Sequence, residues 1–453
     1  METPLSLVIH SSLANEMLRQ SVVRCARSIH TSRVLLAPKT SGPKATSQGF
    51  KRGGDSARSS KKSAGSFRFF EDHVHAGRYH KKSEANLSTI SPFEGALTEG
   101  AVVRYTELQK QKLTQCGAFK KDQYAEVFPT PVTLVRPETK QLESVVNNAF
   151  NAPSSENRVC LVGERGIGKS TLLAHSLAIA VQNENAVVIS IPHALRLVDG
   201  SCDYWFDSKL GTYTQPMYTK RLLDKIRHAN ATSLPKINLS KEYVIESSAK
   251  GRAATKFNTQ HTLADLVKAN VAGRQRGQIL QILFDELLNQ SKAPVFVAVD
   301  NFSALTASPQ TAYRNTENKP LYLSDFQITN FILSLTSAQK SFQKGAVILS
   351  TSADDRNTLT LNTGLGLAQA GPYTPQYKLN RRIASQLNGV KPIEVSKLTK
   401  DQVSSLVGVL ADAGAFRADE LQQNTMEQLA AQKYVLSGNG NPLELIRSVV
   451  MYL

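Results

Sequence analysis

An α/β fold, a parallel sheet with helices on both faces, is predicted by three observations along the 453 residues. A strand–loop–helix pattern surrounds Gly163–Ser170. Apolar strand-like runs then alternate with helical stretches. A further apolar run ends in an aspartate, Asp300. Such alternation favours a doubly wound sheet, whose ligands bind at the carboxyl ends of the strands.

Gly163-Glu-Arg-Gly-Ile-Gly-Lys-Ser170 matches the G-x-x-x-x-G-K-[ST] phosphate-binding loop in full. The backbone through Gly163, Glu164, Arg165, Gly166, Ile167 and Gly168 would turn successive N–H groups toward phosphate oxygens, with Thr171 in the turn behind them. Lys169 would reach the β- and γ-phosphates, and the Ser170 hydroxyl would sit on Mg²⁺. Residues 158–162 read as a buried strand and residues 170–181 as an apolar helix, so the phosphates would lie at a helix N-terminus. The expected cofactors are ATP or GTP, with Mg.

The remaining elements follow in order. Upstream, a helix is expected near residues 102–113, a strand over 132–136 with Val135 as a candidate base contact, and a helix over 138–150. Downstream, 186–191 reads as a buried strand, 199–241 as a long polar stretch, and 262–290 as one long amphipathic helix. Residues 294–300 form a strand closing on Asp300, the Walker B form, in which the carboxylate helps hold Mg²⁺. A helix over 325–341 leads to a strand over 346–351. Its polar end, Ser350 and Thr351, stands where related NTPases carry a γ-phosphate sensor, or is an ordinary strand terminus. The C-terminal part differs. Thr399 and Gln402 have capping-box spacing for a helix reaching about Ala413. Two more helices follow, near 418–435 and 443–452, with Asn441 and Pro442 between them as candidate nucleotide contacts. These helices read as a small lid.

Composition adds a charge argument. Net charge is +17, and residues 1–70 hold 12 Lys and Arg against three acids. That balance points to a polyanionic partner. Residues 1–35 have the Arg- and Ser-bearing, acid-poor composition of a mitochondrial transit peptide. Residues 36–128 read as a basic arm, disordered to extended, with a wrapping extension; aromatics interleaved with bases at Phe67–Phe70 and Arg78–Lys82 suit RNA or an anchor on the protein's own surface. The nucleotide-binding domain is expected over 129–380 and the helical lid over 381–453. No apolar run approaches the ~18 residues needed to span a bilayer. The four scattered cysteines read as reduced thiols.

Together the loop, the strand ending at Asp300, the lid and Gly440-Asn-Pro442 resemble the AAA+/STAND group of P-loop ATPases. More closely, the chain resembles the death-associated-protein-three family of mitochondrial small-subunit ribosomal proteins. The loop, Ile191-Pro-His193, Asp199-Gly200, Gln215-Pro216 and Val299–Leu305 carry that resemblance, over roughly residues 129–453. It implies a component of the mitochondrial ribosome, in the matrix, binding small-subunit rRNA and neighbouring proteins, touching the large subunit, and holding a purine nucleotide. The AAA+-like lid favours adenine, and no N-K-x-D guanine motif follows a strand.

Active AAA+ enzymes carry a glutamate after the Walker B aspartate. Here Asn301 stands there, and an amide cannot take a proton from water. Asp354 and Asp355 are alternative carboxylates, and Arg356, Arg381 and Arg382 are equivalent candidates for a finger. The expectation is a held nucleotide and no enzymatic role. The alternatives are a mitochondrial ATPase switch or a nucleic-acid-binding initiator ATPase.

Overall fold

The computed structural model describes residues 90–120, 123, 130–246, 254–355, 358–375, 377–416 and 418–450. The leader, the basic arm through residue 89 and Arg356 lie outside the described residues.

A short antiparallel ribbon opens the described chain. Strand β1 (Val102–Arg104) pairs with β2 (Val132–Leu134), Val102 opposite Leu134. A helix was expected from 102, but the β-branched pair Val102-Val103 joins this ribbon. The helix starts later, at Glu107–Cys116, where Thr106 and Gln109 form a capping box. After β2, Pro137 at the first helical position opens the helix Pro137–Ala149.

The central sheet has five parallel strands. In chain order they are β3 (Arg158–Val162), β4 (Val187–Ile191), β9 (Val295–Val299), β12 (Gly345–Ser350) and β13 (Lys391–Glu394). Their order in space is β13-β3-β12-β9-β4. Strand β13 falls within the stretch that the sequence assigned to the C-terminal helices, and it pairs with β3, Ile393 opposite Leu161. Side chains alternate between the two faces. Val159 and Leu161 belong to one core with Val188, Phe296, Ala298 and Ile348, covered by the helices Pro137–Ala149 and Lys169–Ala180. Cys160 and Val162 belong to the other, with Ile189, Val297 and Leu349, covered by Pro216–Ala229, Arg276–Asn289 and Gln327–Thr336. There Phe284 and Phe331 stack with centroids 3.7 Å apart. The chain is thus mixed α/β with helices on both faces of a parallel sheet.

The insertions between the sheet strands are hairpins: β5 (Trp205–Asp207) with β6 (Thr212–Thr214), β7 (Tyr243–Ile245) with β8 (Thr255–Phe257), and β10 (Gln310–Arg314) with β11 (Pro320–Tyr322). Three expectations are corrected. The polar stretch 199–241 contains the helix Pro216–Ala229, whose Leu222, Leu223 and Ile226 are buried beneath a charged outer face. The single helix over 262–290 is two, Leu263–Lys268 and Arg276–Asn289. Asn270 and Gly273 are poor helix formers, and Val271 between them turns into the core. The helix near 418–435 is also two, because Thr425 caps a new one, Met426–Leu436, with Gln428. By contrast the capping box at Thr399 and Gln402 starts the helix Lys400–Asp412 as expected. These C-terminal helices and Pro442–Val450 enclose a separate core that includes Leu134, Val403, Val407 and Leu445.

Among the described residues no helix is long and apolar enough to cross a membrane, and no cluster of His, Cys, Asp or Glu could hold a metal ion.

Candidate functional site

Strand order fixes where a ligand can enter. From β3 the chain crosses toward β4 on one side, and from β12 it crosses past β3 to β13 on the other. Neighbouring strands whose connections diverge leave a crevice at their carboxyl ends. The loop Gly163–Gly168 follows β3 there. Residues 351–354 follow β12, and Asp300 and Asn301 follow β9 one strand further. A cavity of about 280 Å³ lies among Lys120, Lys169, Ser170, His193, Asn301 and Thr351, at the N-terminus of the 12-residue helix Lys169–Ala180.

The loop is held from outside. Gly166 and Gly168 have φ of +79° and +96°, which glycine adopts without strain. A methyl group on Gly166 would meet Asn441 Oδ1 at 2.6 Å, so the C-terminal segment lies directly on the loop. Asn441 Nδ2 donates to the Arg165 carbonyl at 2.8 Å, and Leu443 N donates to Gly166 O at 3.1 Å. The Arg165 and Glu164 side chains turn to solvent, paired with Asp354 and Lys397 at 3.4 Å each. Ile167 is buried against Gly163, and its carbonyl accepts from Arg136 Nη1 at 2.7 Å.

Lys169 folds back over the loop. Its Nζ donates to the carbonyls of Gly163 at 2.8 Å and Glu164 at 2.5 Å. Burial draws its pKa below the ordinary value, and Asp300 pulls it back. Asp300 is 2% exposed; Oδ1 accepts from Asn301 N at 2.8 Å, and Oδ2 pairs with Lys120. Asn301 has φ +58°, a left-handed conformation that asparagine tolerates better than most residues, and it lines the cavity.

A second, apolar cavity of about 130 Å³ adjoins the first, bounded by Tyr105, Phe119, His175, Leu406 and Leu410. Gln123, Gly168, Thr171, Pro442 and Ile446 line both. The candidate Val135 does not reach either. Its side chain is fully buried in the core, and its backbone groups pair with Gly100 and Ala101. Its neighbours Thr133, Leu134 and Arg136 line the apolar cavity instead. Ser350 is fully buried with Oγ unpartnered, whereas Thr351 reaches the loop-side cavity. Arg381 and Arg382 line a different cavity, with Tyr322 and Thr374.

The donor set suits a nucleotide: backbone N–H groups at a helix start, a buried amine and a hydroxyl line one cavity, and a buried carboxylate, Asp300, lies just behind its wall. The unpartnered Nε2 of Gln123, which lines both cavities, agrees, since buried polar atoms ordinarily find partners.

Sequence reasoning missed Lys120 and Arg136. Neither stands in a motif, and Lys120 is 180 positions from Asp300. Gly440 carries a separate prediction. Its φ is +93°, and a Cβ there would sit 2.1 Å from Leu398 O. Gly440→Ala is therefore expected to destabilise the chain by about 1–3 kcal/mol in thermal unfolding, loosening the segment that carries Asn441 and Pro442. An unchanged melting temperature would show that the C-terminal helices pack independently of this contact.

A family profile described as Mitochondrial ribosomal death-associated protein 3 matches residues 133–448. A protein of Schizosaccharomyces pombe named Small ribosomal subunit protein mS29 is 25% identical over 376 residues, covering 80% of this chain and 75% of its own. A protein of Neurospora crassa with the same name is 24% identical over 383 residues, covering 81% and 78%. With the family profile spanning the whole parallel sheet and nearly all of the C-terminal helices, the chain belongs to the mitochondrial ribosomal death-associated protein 3 family.

Proposed function

We propose that this chain is a structural component of the small subunit of the mitochondrial ribosome and holds a purine nucleotide as part of its fold. The family is mitochondrial, and the two fungal relatives bear a small-subunit name. The observation that carries the nucleotide reading is the convergence of Lys169 and Ser170 on one cavity at a helix N-terminus, with Asp300 buried behind its wall and paired to the cavity-lining Lys120.

In this reading the fold is of the P-loop, AAA+-like kind and the C-terminal helices are its lid. The loop N–H groups and Lys169 hold the phosphates, while the apolar cavity beside Tyr105 and His175 takes the base of ATP or GTP. Ser170 and Asp300 are the residues that would hold Mg²⁺, which would supply charge neutralisation at the phosphates, in competition with the Lys120 amine already paired with Asp300. The Lys169 amine, now spent on two loop carbonyls, must turn outward to meet phosphate.

Hydrolysis needs a group that orients and deprotonates water. Asn301 occupies the place beside Asp300 where a carboxylate would serve. Asp354, which lines the same cavity, is solvent-exposed and paired with Arg165. The nucleotide is therefore held rather than turned over. The strongly basic balance supports contact with small-subunit rRNA, with ribosomal proteins and the large subunit as further partners.

The test is a comparison of the purified chain with Lys169→Ala. ATP or GTP at about 100 times its Kd is expected to stabilise the first by about 2.7 kcal/mol and to leave the variant unchanged. Turnover of about 1 s⁻¹ or faster would sink the structural reading. In lysed mitochondria the tagged chain is expected to sediment with small ribosomal subunits in moderate salt. A free hexamer would favour the ATPase alternative.

A further inference from the structure

The cation beside Asp300 is supplied by the chain itself. Lys120 follows the helix Glu107–Cys116, whose end is fixed by Gly117 in the left-handed conformation and by Ala118 N donating to Leu113 O at 2.9 Å. Phe119 then packs edge-on against Tyr105, with centroids 5.5 Å apart. The backbone leading to Lys120 is thereby anchored, and its side chain, 17% exposed, enters the loop-side cavity to pair with Asp300 Oδ2.

Asp300 needs such a partner. Its side chain is 3% exposed, and its other oxygen has a single backbone donor. A carboxylate buried this far is costly without a compensating charge. Lys169 acts on it only from further off: the two charges attract, but its Nζ is bonded to the carbonyls of Gly163 and Glu164 and forms no ion pair with Asp300. His193 does not either. Burial, with Lys120 as the next cause, keeps its imidazole below the ordinary pKa and so neutral at pH 7.

We propose that Lys120 is a tethered cation standing in for the divalent ion at Asp300, so that this chain retains its nucleotide with little dependence on Mg²⁺. The inference rests on the nucleotide reading above for its consequence, but its geometry belongs to Lys120 and Asp300 alone. An ammonium offers three donors to oxygen ligands of any arrangement, whereas Mg²⁺ demands a near-octahedral oxygen shell. With Lys120 in place, phosphate oxygens entering the cavity meet two lysines. Without it, Asp300 keeps only the more distant charge of Lys169 and is left without an ion-pair partner, so that it recruits a divalent ion.

The experiment uses the full chain, Lys120→Met and the double variant Lys120→Met/Asp300→Asn, checked for equal folding by circular dichroism. Mn²⁺ uptake without nucleotide is read by electron paramagnetic resonance. Lys120→Met is expected to bind Mn²⁺ at least about tenfold more tightly than the wild type, and the double variant to lose the gain. Equal Mn²⁺ binding by wild type and Lys120→Met overturns the proposal. In a second arm, ATP and GTP affinities are measured by thermal shift in Mg²⁺ and in EDTA. The wild type is expected to hold nucleotide in EDTA within about threefold of its Mg²⁺ affinity, and Lys120→Met to weaken at least about tenfold on chelation. The same Mg²⁺-to-EDTA ratio in both proteins also overturns it. If the Mn²⁺ result holds but neither nucleotide shifts any variant, the nucleotide reading fails while the role of Lys120 stands.

Discussion

Arg136→Ala is expected to destabilise the chain by about 3–5 kcal/mol, because it breaks a buried ion pair by removing one partner. Arg136 is 5% exposed and Glu138 4%. Their Nε and Oε2 face each other at 3.4 Å, as an ion pair without hydrogen-bond geometry. The guanidinium also donates to Ile167 O in the loop and to Ser396 O after β13, while Glu138 Oε1 accepts from Ser396 N at 3.0 Å and Oγ at 2.9 Å. One side chain therefore ties the ribbon, the loop and the entry to the C-terminal helices. Truncation strands a carboxylate and two carbonyls at once. The double variant Arg136→Ala/Glu138→Ala is expected to be less destabilised than the single one, since no buried charge remains unpaired. Denaturant or thermal unfolding decides the matter, and a loss below about 1 kcal/mol for Arg136→Ala would show that water reaches the pair. Under the proposed nucleotide reading, affinity for ATP or GTP should fall in the same variant, because Arg136 holds the Ile167 carbonyl of the loop.

Mild acid is expected to weaken the fold through His175. The ring is 1% exposed, and its two nitrogens lie 2.6 Å from Thr133 Oγ1 and 3.0 Å from Thr139 Oγ1. Burial first, and the Arg136 charge second, push its pKa down from 6.5 to about 3. Between those values the unfolded chain binds a proton that the folded chain refuses, so stability falls as pH drops below 6.5. The expected slope is about 1.4 kcal/mol per pH unit from this group alone. His175→Gln keeps a polar side chain that does not titrate and should flatten the melting temperature against pH between about 6.5 and 4. Parallel curves for the two proteins would assign the acid sensitivity to other groups. The same variant should alter the apolar cavity, which the ring helps to wall.

Much of the framework was legible because its signals are local. The run 158–162 became β3 at the bounds read for it, and Thr399 with Gln402 started a helix. Capping and apolar runs act within a few residues, so one stretch of sequence contains the whole cause. The misreadings arose where a local pattern was ambiguous. Pro216–Ala229 was hidden by its charged face, and Val102-Val103 fit a helix until the ribbon partner Val132–Leu134 was in view. In the candidate site, the motifs placed the loop and Asp300 at the ends of β3 and β9, but Val135 could not be excluded. Only the pairing of its backbone with Gly100 and Ala101 shows that it faces away.

By itself, then, the sequence determined the elements of an α/β chain, a glycine-rich loop between a strand and a helix, and a carboxylate at a strand end. Each is written in consecutive residues whose spacing matches the period of a strand or helix. Tertiary structure alone decided what surrounds them. It placed Lys120 on Asp300, Arg136 between the loop and Ser396, and Asn441 on the Arg165 carbonyl, contacts spanning 180, 260 and 276 positions. Buried charges and unpaired carbonyls take whatever partner the packing brings within reach, and no periodicity along the chain records that choice.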